Sequence, residues 1–541
     1  MGSEKGVLLL WLVSSCFGYK ILINVPTLSN SQVVFNCRVG DLLAEAGHDV
    51  TLYRPQLNPS VTKIKPKMAK ELRVPGVLEP QRYLNMQHKQ HQFVFQDEPL
   101  LGQRELIDEF LSIFADSCRA QVSNTKLMDE LKAAKFDLAI THMYDTCGFG
   151  IIKLVEIPTY IWMSSGILLE NMAWSAGAPS PPSYVPNAMS ALSDRMSYFE
   201  RMKNFMGNAL FIALYRSSFI TGKTDTVFKE LFGDDFPSMN ELADQSPLVF
   251  LNSEELLDFP RPILHKTVYI GGIGMTEAKP LKPDWQQLMD NSEDGVVLIS
   301  FGSVANSSNM PLEWKKSFLK AFSNFPRCTF VWKYEIDDIT KGSIFLFIIR
   351  LIPEAKQLKN LHISTWVPQK DMLAHPKLRA FITHGGYNSV LESAHAGVPL
   401  VTISLFGDQF RNARAAQRHG FAVNLLKGQL SEQAITTALK TILEDRKYGE
   451  NAKRLSRMMR RKPVKSEELV IKWVEFLAEF KELPNLQPAA NQLNLLQYFC
   501  LDVMAGLLAL AAIAVYLFYT LLRWYYWLCC KVAYEKKNKK D

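Results

Sequence analysis

The sequence has no Cys-x-x-Cys pair, and its eight cysteines lay out no disulfide framework. Cys16 falls in an apolar leader, Cys500, Cys529 and Cys530 lie in or beside a long apolar run, and Cys37, Cys118, Cys147 and Cys328 are scattered through the body. That spacing excludes a small cystine-stapled scaffold and a zinc ribbon. No basic stripe interleaved with aromatic residues occurs either. The formal charge is +7, but Arg523, Lys531, Lys536, Lys537, Lys539 and Lys540 crowd the tail against Glu535 and Asp541 alone, which accounts for four of the seven. The body is nearly balanced, which argues against a nucleic-acid partner. One sequon occurs, Asn306-Ser307-Ser308; it follows a glycine turn placed in a candidate cleft, where a glycan is not expected.

What is present is length and apolar content. At 541 residues, 48% of them hydrophobic, the chain is about twice the size at which one core stops growing, so two globular domains are expected. Both ends carry address information. Lys5 precedes an apolar run from Val7 to Val13 and the small-residue exit Ser14-Ser15-Cys16-Phe17-Gly18, the pattern of a secretory signal peptide over 1–18. Val503 to Leu522 is a run of 20 residues without a charge, about 30 Å of helix, which matches a bilayer core. Trp524, Tyr525, Tyr526 and Trp527 follow as an interfacial belt, and the basic tail 523–541 places itself in the cytosol by the positive-inside rule. The expectation is a single-pass type I protein with its body lumenal. Lys537 and Lys539, fifth and third from the end, resemble the dilysine signal that returns membrane proteins to the endoplasmic reticulum.

Along the body, Lys20 to Val25 reads as a buried strand, followed by a helix with Phe35, Val39, Leu42, Leu43 and Ala46 at core spacing, a stop at Gly47 and a strand over Val50 to Tyr53. This β-α-β unit opens a parallel sheet. A strand over Phe136 to Ile140 leads into Thr141-His142-Met143-Tyr144-Asp145, and further strands fall at Leu248 to Leu251 and around Val268. Ser175 to Pro186 is too rich in Ala, Gly, Ser and Pro for regular structure and reads as a substrate loop. After a linker at Lys279-Pro280-Leu281-Lys282-Pro283, strands at Val296 to Ser300, Thr329 to Trp332, His362 to Thr365, Ala380 to Thr383, Leu400 to Ile403 and Ala422 to Leu425 alternate with helices, a second doubly wound sheet. The divisions are thus 19–278 and 284–462, then a bracing helix and stem over 463–500 and the membrane helix over 503–522. Gly342 to Ile352 breaks the pattern with Ile344-Phe345-Leu346-Phe347-Ile348-Ile349 where a polar connection belongs. It reads as an extra buried strand, a membrane-touching lip or, the preferred reading, a retained piece of mis-spliced sequence.

The chemistry-bearing segments are Trp366-Val367-Pro368-Gln369, His384-Gly385-Gly386-Tyr387-Asn388-Ser389, Glu392 and Phe406-Gly407-Asp408-Gln409. His384-Gly385-Gly386 bridges a strand and a helix whose free N–H groups, at Asn388 and Ser389, suit an anion, with the glycines allowing close backbone approach. As an ensemble these segments resemble the signature of the UDP-glycosyltransferase superfamily. The leader, two sheets and basic-tailed anchor resemble its animal UDP-glucuronosyltransferase branch, and Val249-Phe250-Leu251-Asn252-Ser253 with Asp258-Phe259-Pro260-Arg261-Pro262 resembles nematode members. The resemblance implies an α/β fold of two facing Rossmann-like, doubly wound domains (GT-B type) with a C-terminal transmembrane helix. It implies that Trp366 stacks on uracil with Gln369 beside it, and that Glu392 binds ribose. His384, Asn388 and Ser389 would hold the diphosphate with Ser303 of the Phe301-Gly302-Ser303 turn, and Asp408 and Gln409 would bind the sugar. The implied reaction is an inverting transfer of glucuronic acid or glucose from a UDP-sugar to small lipophilic acceptors, as in detoxification. No Asp-x-Asp triplet occurs, which agrees with a metal-free mechanism with no cofactor beyond the UDP-sugar co-substrate, helix dipole and His384 stabilising departing UDP. Homo- or hetero-oligomers with related transferases are a further expectation.

The acceptor side departs from that pattern. The family's base, a His early in the first helix, falls on Gln32, and the Asp that orients it falls on His142. Glutamine has no basic lone pair at neutral pH, and general-base catalysis is typically worth about 10² to 10⁴ in rate. Two rescues present themselves: His142 acting as base, oriented by Asp145, or an acceptor that is acidic or an amine and needs no strong base. The rival from another class is a catalytically idle partner that binds UDP-sugar and modulates active relatives. A lipid transporter would explain the anchor but leaves Asp408 and Gln409 without a purpose.

Overall fold

The computed structural model describes residues 18–61, 63–96, 104–275, 278–302, 305–335 and 358–539. The leader up to residue 17, Ser303 and the Gly342 to Ile352 insertion lie outside the described residues. Residues up to Leu486 form one compact unit and Gln487–Asp541 a second.

Within the first unit, two all-parallel sheets carry the fold. The first is built from β1 (Lys20–Asn24), β2 (Asp49–Pro55), β3 (Lys70–Val74), β4 (Leu138–His142), β5 (Tyr160–Ser164), β6 (Leu248–Leu251) and β7 (Thr267–Tyr269), in the order β3-β2-β1-β4-β5-β6-β7. The second contains β8 (Val296–Ser300), β9 (Thr329–Lys333), β10 (Leu361–Ser364), β11 (Leu378–Thr383), β12 (Leu400–Ser404) and β13 (Ala422–Leu426), in the order β10-β9-β8-β11-β12-β13. Central strands such as Val296–Ser300 are buried along their whole length, because helices cover both faces and leave no solvated side for polar residues to alternate onto.

The opening β-α-β unit forms as expected, with β1 paired to β2 from Lys20 against Asp49 to Asn24 against Tyr53. Its helix, Asn30–Glu45, buries Val33, Phe35, Val39 and Leu43. Ala46 is exposed instead of buried, because it is the capping residue beyond the sheet edge, and Gly47 turns the chain there with φ +97°. The third expected strand starts two residues later than Phe136. Asp137 is spent on a fastening in which its N–H donates to Lys20 O (2.8 Å) and its Oδ2 accepts from Lys20 N (2.8 Å), so the strand runs on to bury His142.

The cysteines lay out no framework in sequence, yet Cys118 and Cys147 are bonded, with Cα atoms 5.6 Å apart. The bridge joins the Arg104–Val122 helix to the first residue of the Cys147–Leu154 helix. Cys37 and Cys328 are buried and free.

After the Arg446–Arg460 helix the chain returns to the first sheet. The Ser466–Phe480 helix sets Val470, Val474 and Leu477 into the same core as Ile21, Ile23 and Ile140, and Ser466 Oγ donates to Gly271 O (2.7 Å). In the second unit, Leu501–Asn538 is one helix, and its stretch to Tyr534 is long and apolar enough to cross a membrane, with a mean hydropathy of 2.2.

Candidate active site

Each sheet reverses its strand order once, between β1 and β4 in the first and between β8 and β11 in the second. A parallel sheet opens a crevice beyond the carboxyl ends of its strands at such a point. The candidate residues sort into these two crevices.

In the second crevice, the His384 ring is slotted between two glycines. A Cβ on Gly302 would stand 2.7 Å from its Cε1, and one on Gly386 would stand 2.5 Å from its Nε2. Burial first, then the charge of Lys333, pulls the imidazole down to about 4, so it is neutral near pH 7. Gly385 takes φ +85° over the Gln409 carbonyl, 3.1 Å from where a Cβ would lie. The Tyr387–Ala396 helix begins at once. Its first turn is tight: Ser389 N–H donates to Gly386 O (2.9 Å), so the expectation that this group is free is corrected. The N–H groups a helix start leaves over are those of Tyr387 and Asn388.

Around this turn stand the remaining candidates. Trp366, just past β10, is 62% exposed, and its carbonyl accepts from Ser364 Oγ (2.7 Å). Gln369 opens a short helix and donates through Nε2 to Glu392 Oε2 (2.7 Å); burial pushes the Glu392 carboxyl up, while Gln369 and then Arg38 hold it down. Asp408 caps the Gln409–Arg418 helix and accepts from Asn412 Nδ2 (2.8 Å), with burial again raising its pKa. Gln409 is buried, and its Oε1 accepts from Leu405 N (2.9 Å) and Phe406 N (3.2 Å). These bonds fix the loop beyond β12.

In the first crevice, Gln32 is the third residue of the Asn30–Glu45 helix, and its Oε1 is buried without a hydrogen-bond partner among the described residues. His142 is fully buried at the end of β4. Its Nδ1 accepts from Tyr144 N (3.4 Å), the Tyr144 ring stacks on it at 5.4 Å, and its Nε2 has no partner among the described residues. Burial pulls this imidazole down to about 3. Asp145 accepts instead from Cys147 N (3.0 Å) and Asn24 Nδ2 (3.5 Å). It therefore starts the next helix, and the structure does not bring it to His142 as an orienting partner.

The residue that sequence reasoning passed over is Tyr144. The residue is 37% exposed, and its phenol is influenced by Ser165 and Gln32, which lower its pKa, and by the Asp408 carboxylate of the other crevice, which raises it. Its enclosure is the first cause of a raised phenol pKa and Asp408 the second. The signal lay in plain view: an aromatic in a loop directly after a buried strand, between two residues already singled out. The two crevices face each other across further seams. Tyr387 Oη accepts from Glu254 N (2.7 Å), and Asn252 Nδ2 donates to Ser165 O (3.2 Å) and Asn388 Oδ1 (3.5 Å).

Known proteins are similar to this chain in sequence and in fold. The chain is 32% identical to ugt-48 of Caenorhabditis elegans over 493 residues, covering 90% of this chain and 91% of that one. It is 30% identical to UDP-glucuronosyltransferase 1A7 of Mus musculus over 492 residues, covering 88% and 87%. Among solved structures, the kitacinnamycin glycotransferase superposes with a TM-score of 0.57 at 15% identity, covering 86% of this chain and 100% of that one. The calicheamicin glycosyltransferase CalG4 superposes at 0.53 and 18%, covering 85% and 98%. These two show a shared GT-B fold of paired parallel-sheet domains. The model for UDP-glucoronosyl and UDP-glucosyl transferases matches residues 21–538, which takes in both crevices and the apolar helix, and the chain belongs to that family.

Proposed function

We propose that this enzyme transfers glucuronic acid or glucose from a UDP-sugar to small lipophilic acceptors, with inversion and without a metal ion. The donor occupies the second crevice: Trp366 on uracil, the Gln369–Glu392 pair on base edge and ribose, His384 with the Tyr387 and Asn388 N–H groups on the diphosphate, and Asp408 with Gln409 on the hexose. The carrying observation is the Gln369–Glu392 bond set beside an exposed Trp366, since an exposed indole next to a braced carboxylate suits a nucleoside better than a core. Since Gln409 spends its Oε1 on the loop, its NH₂ group is the half left for a sugar hydroxyl.

Three cations could meet a glucuronate carboxylate. Arg411 is buried against Asp258, Lys333 donates to Gly302 O (2.7 Å) and pairs with Glu335 (2.9 Å), and Arg38 lies near Glu392 and Lys370. UDP release compared between UDP-glucuronate and UDP-glucose with mixed acceptors, with Asp408→Ala as blank, tests both the activity and the sugar. The second reading, an idle UDP-sugar-binding partner of active relatives, is favoured by Gln32 and the neutral, buried His142; it binds UDP-sugar yet releases no UDP. The setting we assign is the endoplasmic reticulum membrane, single-pass type I with the body lumenal. The leader, the basic tail and the Cys118–Cys147 bond support it.

A further inference from the structure

We infer that the acceptors are molecules whose attacking oxygen is already an anion in solution, carboxylic acids and acidic phenols, and that Gln32 and Tyr144 hold this oxygen by donating hydrogen bonds to it. This rests on the UDP-sugar reading above and specifies the second substrate.

The first crevice holds donors where a hydroxyl acceptor would need a base. Gln32 offers an amide, which takes no proton at neutral pH. Tyr144 presents an O–H whose pKa lies above its ordinary value, so it donates and does not abstract. Beneath it, His142 accepts the Tyr144 N–H at Nδ1 (3.4 Å), which places the proton of the neutral ring on Nε2. That nitrogen is enclosed, so neither ring nitrogen offers a lone pair to an acceptor. Asp145 is consumed by Cys147 N and Asn24. From the opposite domain the facing carboxyl is Asp408, with Oδ2 bound to Asn412, and His384 is enclosed between its glycines.

With an alcohol, attack on the anomeric carbon leaves a proton on the new ether oxygen, and among the described residues the one carboxyl named as facing it, Asp408, is given to the hexose in the reading above. With a carboxylate or phenolate, a lone pair forms the bond to the anomeric carbon. The bond from that carbon to the β-phosphate oxygen breaks, its electron pair leaves with UDP, and no proton moves. Hydrogen bonds to a charged oxygen are stronger than those to a neutral one, and two of them fix the angle of attack as well.

The test measures kcat/KM for the full-length protein in detergent with benzoic acid, para-nitrophenol, phenol and benzyl alcohol between about pH 5 and 9, beside calorimetry with UDP. Para-nitrophenol should show a break at its own pKa, benzoate, ionised throughout this range, should show none, and phenol should climb with pH, with benzyl alcohol at least about 100-fold below benzoate. Tyr144→Phe should lower kcat/KM for benzoate about tenfold. Gln32→His should raise benzyl alcohol turnover about 100-fold and add a break near pH 6.5 shared by all acceptors. A wild-type break common to every acceptor would assign the base to Asp408 and overturn the inference. So would benzyl alcohol matching benzoate, or UDP binding with no turnover of any acceptor. Absence of UDP binding overturns the donor reading itself.

Discussion

Arg411 and Asp258 form an ion pair across the two domains with each side chain only 2% exposed. The guanidinium also lies over the Phe259 ring at 5.1 Å, while Asp258 Oδ2 has no hydrogen-bond partner among the described residues. Such a pair costs desolvation, and removing one member strands the other charge. Arg411→Met or Asp258→Leu alone should therefore destabilise the chain by roughly 3 to 5 kcal/mol, and the double substitution should recover most of that loss. Urea midpoints of the three variants decide it; additive losses would show that the two residues do not act as a pair.

Trp366 separates binding from stability. With its side chain 62% exposed, Trp366→Ala should change stability by no more than about 0.5 kcal/mol. Loss of a stacked base is worth about 1 to 3 kcal/mol. A rise in the UDP dissociation constant of between about 5- and 150-fold, read by calorimetry, is the expected outcome.

The two glycines beside His384 give a steric prediction. A Cβ at Gly386 would stand 2.5 Å from Nε2, and at Gly302, φ +83° disfavours any side chain as well. Gly386→Ala should displace the imidazole and weaken UDP binding at least about tenfold, and Gly302→Ala should in addition lower stability by about 1 kcal/mol or more. Alanine variants that bind UDP like the parent would sink the idea that His384 is held by close contact.

Acid should loosen the fold through its buried imidazoles. His142, lowered to about 3, and His384, lowered to about 4, stay neutral in the folded chain, while an unfolded histidine takes up its proton near 6.5. Stability from each is present above 6.5 and is lost as pH falls towards the folded value, at about 1.4 kcal/mol per pH unit. Asp145, raised to about 6 by burial, has the opposite sign. Its folded-state proton uptake favours the fold below about 4, and that gain fades as pH rises through 6. His142→Gln should flatten the slope of Tm against pH between about 4 and 6 by one proton's worth.

The Cys118–Cys147 bond closes a loop with a sequence separation of 29, a length at which a cystine adds about 3 to 4 kcal/mol. Reduction, or the double substitution Cys118→Ala with Cys147→Ala, should lower Tm accordingly. Activity should fall as well, because Cys147 N holds Asp145 (3.0 Å) one residue beyond Tyr144.

Where hydrophobic period dictates structure, the sequence was readable. Val296–Ser300 and Leu400–Ser404 are uninterrupted apolar runs that only a strand buried on both faces explains. Lys70–Val74 escaped notice because an edge strand of Lys, Glu, Leu, Arg and Val has half its surface in water and no apolar rhythm to find. The second crevice was legible because its residues follow their strands within a few positions; the Ser389 N–H was misjudged because the tightness of a first turn is a matter of carbonyl position. In the first crevice Tyr144 gains its meaning only when Gln32, 112 positions earlier in the chain, and Asp408 are folded against it. The cystine was hidden for a related reason, since helix packing over the first sheet, and no spacing rule, brings its two sulfurs together.

That bond also links delivery to competence. A copy of this chain that stayed among the reducing thiols of the cytosol would keep Cys118 and Cys147 as free thiols, and the turn holding the tyrosine would lose its covalent anchor. Misrouted molecules would then be poor catalysts, and in the lumenal setting proposed above the transferase would reach full strength only after export, without any separate inhibitor to silence it on the way.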